Sequence, residues 1–174
     1  MKVESLAESQ LLKSILVIDI NKCTGCRNCE LACSVKNTNT FNPRRSRIQV
    51  LKKEDQNMIL PMVCLHCEVP LCEQACPNGA LVYNEKGILY VKSEVCIGCG
   101  NCVTACTYGG IEIDPVTRKA IKCDLCRGDP ACVKACDYGA ISMEKAKKEG
   151  LGARKKGTDP VVQTLGLERG EVQQ

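Results

Sequence analysis

Apolar and polar residues alternate along this chain in short bursts, not in long runs. SILVIDI (14–20) reads as the first strand. RIQVLKKEDQNMILPMV (47–63) places two apolar stretches around Asp55, Gln56 and Asn57. ALVYNEKGILYV (80–91) does the same around Glu85, Lys86 and Gly87, and GIEIDPVTRKAI (110–121) around Asp114 and Pro115. Turn residues between apolar stretches signal a β-hairpin, so each of these three segments predicts one. Short helices are expected between the hairpins. From about residue 144 the pattern stops. EKAKKEGLGARKKGTDPVVQTLGLERGEVQQ has no cysteine, no aromatic residue, many charges and several Gly. Such a composition predicts an extended tail with no core of its own. VVQTLGL (161–167) is its one stretch suited to anchoring on a partner.

The chain carries 16 cysteines in four groups. CTGCRNCELAC holds Cys23, Cys26, Cys29 and Cys33. CLHCEVPLCEQACP holds Cys64, Cys67, Cys72 and Cys76. CIGCGNCVTAC holds Cys96, Cys99, Cys102 and Cys106. CDLCRGDPACVKAC holds Cys123, Cys126, Cys132 and Cys136. Each group ends in Ala-Cys, and three continue alike as CPNGAL, CTYGGI and CDYGAI. Gly79, Gly109 and Gly139 are expected to turn the chain sharply into the next strand. A repeat this regular outweighs any local feature. Cys-x2-Cys-x2-Cys-x3-Cys is the bacterial ferredoxin spacing, in which the fourth cysteine ligates the other cluster of a pair. Three thiols on a tight loop reach three irons of one cube. The fourth, on a short helix that follows, points toward a second. Cys33 is therefore expected to bind a different cluster from Cys23, Cys26 and Cys29. The Ala before each last cysteine is expected to be small because the start of that helix lies against a cluster.

Two rival uses of cysteine fit less well. Structural zinc sites join two Cys-x2-Cys pairs across a longer gap, and disulfides need an oxidising compartment. MKVESLAESQLLKSILVIDI shows no signal-peptide order and no twin arginine, and its apolar stretch of about eight residues is too short to span a membrane. A cytoplasmic location with reduced thiols is the expectation.

One Phe, four Tyr and no Trp are few for a core of this length, because aromatic rings bury much area. Clusters are expected to fill part of the interior. The formal charge of +4 is offset if four cubes each bring about two negative charges. The basic residues then call for no nucleic acid, and aromatics for stacking on bases are scarce. His66, the single histidine, reads as a loop residue beside Cys64 and Cys67. Arg44, Arg45 and Arg47 form a basic patch, suited to solvent or to docking on a partner's carboxylates. Tyr83, Tyr90, Tyr108 and Tyr138 are expected to pack over clusters or strands. No constellation of general acid, base or nucleophile is visible, so the chain is not expected to be an enzyme alone.

In this order the four groups resemble the four-cluster ferredoxin-type electron-transfer subunits of the dimethyl-sulfoxide-reductase-like family of molybdenum and tungsten oxidoreductases. The likeness covers about residues 14–143. CLHCEVPLCEQACP, with His66 and Pro70, carries it. So do the wider gaps before the third cysteine, four residues between Cys67 and Cys72 and five between Cys126 and Cys132. One departure is Ser34, where proline often follows the last cysteine; only the second group, with Pro77, keeps it.

The resemblance implies an α+β, duplicated bacterial-ferredoxin-like fold of two two-cluster lobes with short hairpins and short helices. Groups one and four would form an outer lobe (1–60 and 113–143), and groups two and three an inserted lobe (61–112). The extended C-terminal tail (144–174) would bind a partner. It also implies four [4Fe-4S] clusters. Cluster one would take Cys23, Cys26, Cys29 and Cys136; cluster two, Cys123, Cys126, Cys132 and Cys33. Cluster three would take Cys64, Cys67, Cys72 and Cys106; cluster four, Cys96, Cys99, Cys102 and Cys76.

NPRRSRIQV (42–50) and the compact length look most like the small iron–sulfur subunits of cytoplasmic, multi-subunit tungsten aldehyde oxidoreductases. That implies a wire from a tungsten- or molybdenum-pterin catalytic subunit to a flavin/NAD subunit or another acceptor. Its two faces would also suit end-to-end self-stacking. Similar chains serve carbon monoxide dehydrogenases, hydrogenases and formate dehydrogenases. A free soluble polyferredoxin and a zinc-binding interaction module are the other classes open here. Neither nucleic acid nor a membrane span is expected.

Overall fold

In the computed structural model, residues 14–56, 58–146 and 150–154 are described. β1 (Ser14–Ile18) pairs antiparallel with β8 (Ile141–Lys145), Ser14 opposite Lys145 and Ile18 opposite Ile141. This pairing ties together the two ends of the cysteine-bearing region. The three segments with hairpin signals form hairpins. β2 (Ile48–Lys53) pairs with β3 (Met58–Val63), β4 (Leu81–Tyr83) with β5 (Leu89–Val91), and β6 (Ile111–Ile113) with β7 (Ala120–Lys122).

Four helices follow the cysteine loops: α1 (Asn28–Thr38), α2 (Leu71–Gln74), α3 (Asn101–Thr104) and α4 (Ala131–Lys134). The last three are single turns. They stop at Ala75, Ala105 and Ala135, and the chain then turns at Gly79, Gly109 and Gly139, where φ is 59°, 69° and 60°. Glycine meets that left-handed geometry at no steric cost. The Ala residues of these groups thus close a helix; they do not start one. Cys76, Cys106 and Cys136 lie just beyond the helix, and only Cys33 lies within one.

The first group has Lys36 where the others have that glycine, and its helix runs on for 11 residues until Asn39 (φ 53°) caps it. Ser34 is inside this longer helix and fully buried. Its hydroxyl donates to the Leu31 carbonyl at 2.9 Å and accepts the Asn42 N–H at 3.3 Å. Proline there would remove a helical N–H and break α1, which accounts for the departure at this position.

α1 packs on α4, and α2 on α3. Two apolar cores result. One is built on Leu16, Ile48, Val50, Val63, Leu125 and Ile141, the other on Leu81, Leu89, Ile111 and Ala120. Ile88 belongs to the first and Leu89 to the second, because successive residues of extended chain face opposite sides. Neither core contains an aromatic ring, and Phe41 is 81% exposed. Cysteines take the place of rings: Cys29, Cys33, Cys64, Cys123 and Cys132 in the first core and Cys102 in the second.

Polar contacts latch the two halves. Arg45 Nε and Nη2 donate to Asp114 at 3.0 and 2.8 Å, Gln49 donates to Glu112, and Lys86 Nζ donates to the Arg127 carbonyl at 3.3 Å. β8 runs to Lys145, two residues into the segment read from sequence as tail. Residues 150–154 are helical. Arg154 returns to the body, donating to the Leu16 carbonyl at 2.8 Å and the Leu65 carbonyl at 3.0 Å. VVQTLGL lies outside the described residues. Among the described residues no helix is long and apolar enough to cross a membrane. The fold is a small α+β one.

Candidate metal centres

Four cavities open among the loops, each lined by four cysteines. Cys23, Cys26, Cys29 and Cys136 line one. Cys33, Cys123, Cys126 and Cys132 line the next. Cys64, Cys67, Cys72 and Cys106 line a third, and Cys76, Cys96, Cys99 and Cys102 a fourth. In each, three thiols come from one loop and one from the end of another group. Ala105 lines the third cavity and Ala135 the first, where a larger side chain would intrude.

The backbone explains how three thiols converge. The residue just before the second cysteine has positive φ in all four loops: Gly25 (68°), His66 (52°), Gly98 (72°) and Leu125 (57°). In groups one and three the helix begins at once after a second left-handed residue, Arg27 (φ 66°) or Gly100 (φ 85°). In groups two and four the wider gap holds Pro70 and Pro130, each at the N-cap of the helix that carries the third cysteine. Side chains seldom adopt a left-handed backbone. His66 and Leu125 hold it where the other loops use glycine, and both are buried.

Backbone amides point at the sulfurs. The N–H groups of Ala80, Gly110 and Ala140 donate to Cys76, Cys106 and Cys136 Sγ at 3.2, 3.3 and 3.2 Å. Those of His66 and Leu125 donate to Cys64 and Cys123 Sγ, both at 3.4 Å. In the first group, where the helix runs on, Arg47 N–H reaches Cys33 Sγ at 3.2 Å. Ala120 N–H donates to Cys96 Sγ at 3.4 Å. Such donors favour thiolate over thiol, and hydrogen bonds to the sulfurs tune an iron–sulfur site. Among the described residues no three Cys, His, Asp or Glu side chains converge closely enough for a single ion. Four thiols surround each cavity. The donor set fits a cube.

A profile of the 4Fe-4S dicluster domain matches residues 56–146, and a second such profile matches residues 22–80. The chain thus belongs to the 4Fe-4S dicluster domain family. A tetrathionate reductase subunit of Archaeoglobus fulgidus is 36% identical over 102 residues, covering 59% of this chain and 49% of that one. Electron transport protein HydN of Escherichia coli is 39% identical over 112 residues, 59% of this chain and 61% of its own length. A polypeptide of the anaerobic dimethyl sulfoxide reductase of Escherichia coli is 40% identical over 106 residues, 53% of this chain and 51% of its own length. The dicluster chain thus matches about half the length of these curated relatives.

Membership makes [4Fe-4S] clusters the cofactors of this chain. Burial, helped by the Glu30 carboxylate, pushes the Cys29 thiol up to about 12. It lifts Cys132 to about 12 and Cys102 to about 11, and raises Cys123 as well. Without metal these thiols keep their protons, so loading a dicluster site must release them. Cys26, Cys67 and Cys99 are the exposed thiols of the dicluster chain.

The other singled-out residues divide. His66 packs beside Cys64 in the loop, as read from sequence. Tyr108 lines the third cavity and Tyr138 the first, at equivalent places in the repeat. Tyr83 instead donates to Glu73 at 3.1 Å on the surface. The basic patch is largely used internally. Arg45 holds Asp114 and Arg47 holds Asp124 at 2.7 Å, which leaves Arg44 exposed. Two residues carried no sequence-level flag. Gly110 stands where Ala80 and Ala140 stand in sister groups, a difference legible in the aligned repeat. Lys122 is buried and lines the third cavity; nothing in the pattern marks it.

Proposed function

We propose that this chain is an electron-transfer subunit holding four [4Fe-4S] clusters. It would link a tungsten- or molybdenum-pterin catalytic subunit, an aldehyde oxidoreductase in the reading we favour, to a flavin/NAD subunit or other acceptor. The observation that carries the proposal is the grouping of sixteen thiols into four cavities of four. The ligand sets are Cys23, Cys26, Cys29 and Cys136; Cys123, Cys126, Cys132 and Cys33; Cys64, Cys67, Cys72 and Cys106; and Cys96, Cys99, Cys102 and Cys76. Interleaving of groups one with four and two with three supports two ferredoxin-like lobes, an outer one (1–60 and 113–143) and an inserted one (61–112).

Bound at these sites, each cluster exchanges one electron. The chain's own part is to hold the sites in sequence. α1 carries Cys29 and Cys33, which belong to the first and second sets. Cys123 of the second and Cys64 of the third share one core. Cys72, within α2, and Cys76, just beyond it, belong to the third and fourth. That supports the order one, two, three, four. Cys26 of the first set, Cys67 of the third and Cys99 of the fourth are exposed, and electrons would enter and leave at sets that reach the surface.

The test is metal analysis of the complex purified anaerobically through a tag on this chain. About 16 iron atoms from this subunit are expected for four cubes. Accompanying tungsten supports the aldehyde oxidoreductase reading. Molybdenum moves it to a reductase or formate dehydrogenase, and nickel to a hydrogenase or carbon monoxide dehydrogenase. Stoichiometric zinc without iron overturns it.

A further inference from the structure

Lys122 closes β7 and stands immediately before Cys123. It is 4% exposed. Its Nζ crosses from one half of the molecule to the other, donating to the Leu89 carbonyl at 2.9 Å and to the Cys123 carbonyl at 3.2 Å. Both acceptors are neutral, and among the described residues no carboxylate pairs with it. The side chain lines the cavity of Cys64, Cys67, Cys72 and Cys106. Its backbone neighbour Cys123 lines the cavity of Cys33, Cys126 and Cys132.

An ammonium taken out of water costs several kcal/mol unless charge nearby compensates it. Two carbonyl dipoles supply part of that. The remaining charge it faces is that of the third set, whose cavity it lines, and the ammonium favours the charged form of Cys72. Exposed lysines elsewhere are screened by solvent and salt. Lys122 is not, so its field acts on the sites beside it at short range and in a poorly polarisable medium.

We propose that Lys122 is a built-in positive charge that raises the reduction potentials of the two inner clusters, the pair across which electrons pass from one lobe to the other. The inference rests on the four-cluster reading above. Reduction adds a negative charge to a cluster, and a nearby cation favours the reduced form. Net charge and burial are among the factors that set iron–sulfur potentials. The outer clusters, at Cys23 and at Cys96, have no such buried cation among the described lysines. Lys122 would make the two inner sites easier to reduce than burial alone would leave them. It is a positioning residue for charge and touches no substrate.

The experiment is a redox titration of the full chain in its complex, followed by electron paramagnetic resonance. The four couples are assigned beforehand by cysteine variants of each set. In Lys122→Met, iron content is expected to stay at the unmodified level. The couples of the second and third sets shift to lower potential by at least a tenfold change in oxidised-to-reduced ratio, about 59 mV for one electron. The first and fourth stay in place, and Lys122→Arg restores the inner pair. A fully loaded Lys122→Met with all four couples unmoved overturns the proposal, and so does an equal shift of all four. If Lys122→Met loads poorly, Lys122→Gln, which keeps a donor for the two carbonyls, enters the same titration under the same criteria. An unmodified chain with well under 16 iron atoms (about 16 for four cubes) would instead overturn the four-cluster reading itself.

Discussion

Gly110 lies so close to the backbone of Cys64 that a Cβ built on it would stand 2.6 Å from the Cys64 Cα and 3.1 Å from its N. Sister positions carry alanine, Ala80 and Ala140. The third group gave up its methyl because the second group's first cysteine occupies that space. Gly110→Ala is therefore expected to push Cys64 out of line. Iron analysis should show the loss of about 4 of about 16 iron atoms, while Ala80→Gly and Ala140→Gly keep the full number. Full iron in Gly110→Ala would show that the contact can relax.

Asp114 receives Arg45, the Val116 N–H at 2.9 Å and the Thr117 hydroxyl at 3.0 Å. Burial alone would raise its carboxyl, but these partners hold it at about 2 against an ordinary 3.8. At about 1.4 kcal/mol for each tenfold change in proton affinity, the linkage is worth on the order of 2 kcal/mol. With a depressed folded value, that stability is present above about pH 4 and is lost as pH falls through about 2. Asp114→Asn should lower stability at neutral pH by a similar amount. Thermal bleaching of the cluster absorbance would move to lower temperature, and an unchanged midpoint would count against the latch.

Cys33 offers a direct test of the interleaved ligand sets. It shares a helix with Cys29 but lines a cavity with Cys123, Cys126 and Cys132. Cys33→Ala should damage the paramagnetic signal that Cys126→Ala also damages, and leave the one that depends on Cys26. Loss of the Cys26-dependent signal instead would mean that each loop binds its own cube.

Removal of iron should create an alkaline weakness. Cys29 and Cys132 sit at about 12 and Cys102 at about 11, against an ordinary 9.0. A raised folded value means that the native apo protein binds more protons than the unfolded one between about pH 9 and these values. Its stability then falls as pH rises through that window. Circular dichroism of the apo protein should show alkaline unfolding that the iron-loaded form lacks. Identical alkaline midpoints would remove thiol burial as the cause.

Much of the fold could be read from local chemistry. Turn residues at Glu85–Gly87 and at Asp114 and Pro115 announced their hairpins, and the cysteine spacing announced loops with a converging set of thiols. What stayed hidden depended on distant partners. β1 was legible as a strand, but nothing near Ser14 points to Lys145. Arg45 and Arg47 read as a surface patch because their carboxylates lie far along the chain. The left-handed backbone at His66 and Leu125 was masked by side chains that rarely adopt it. The long α1 was foreseeable in part, since the first group lacks the terminating glycine of the others. Lys122 was invisible because burial of one lysine is a property of packing.

The pairing of β1 with β8 has a consequence for biosynthesis. On a growing chain, Cys23, Cys26 and Cys29 leave the ribosome first, yet the strand and the cysteine that complete their cavity come with Cys136 and Ile141–Lys145. The third and fourth cavities draw all their cysteines from the continuous stretch between Cys64 and Cys106 and can be lined earlier. Limited proteolysis of ribosome-stalled chains of increasing length would read that sequence of events. The thiols made first are thus the last to be sealed, and they stay open throughout translation.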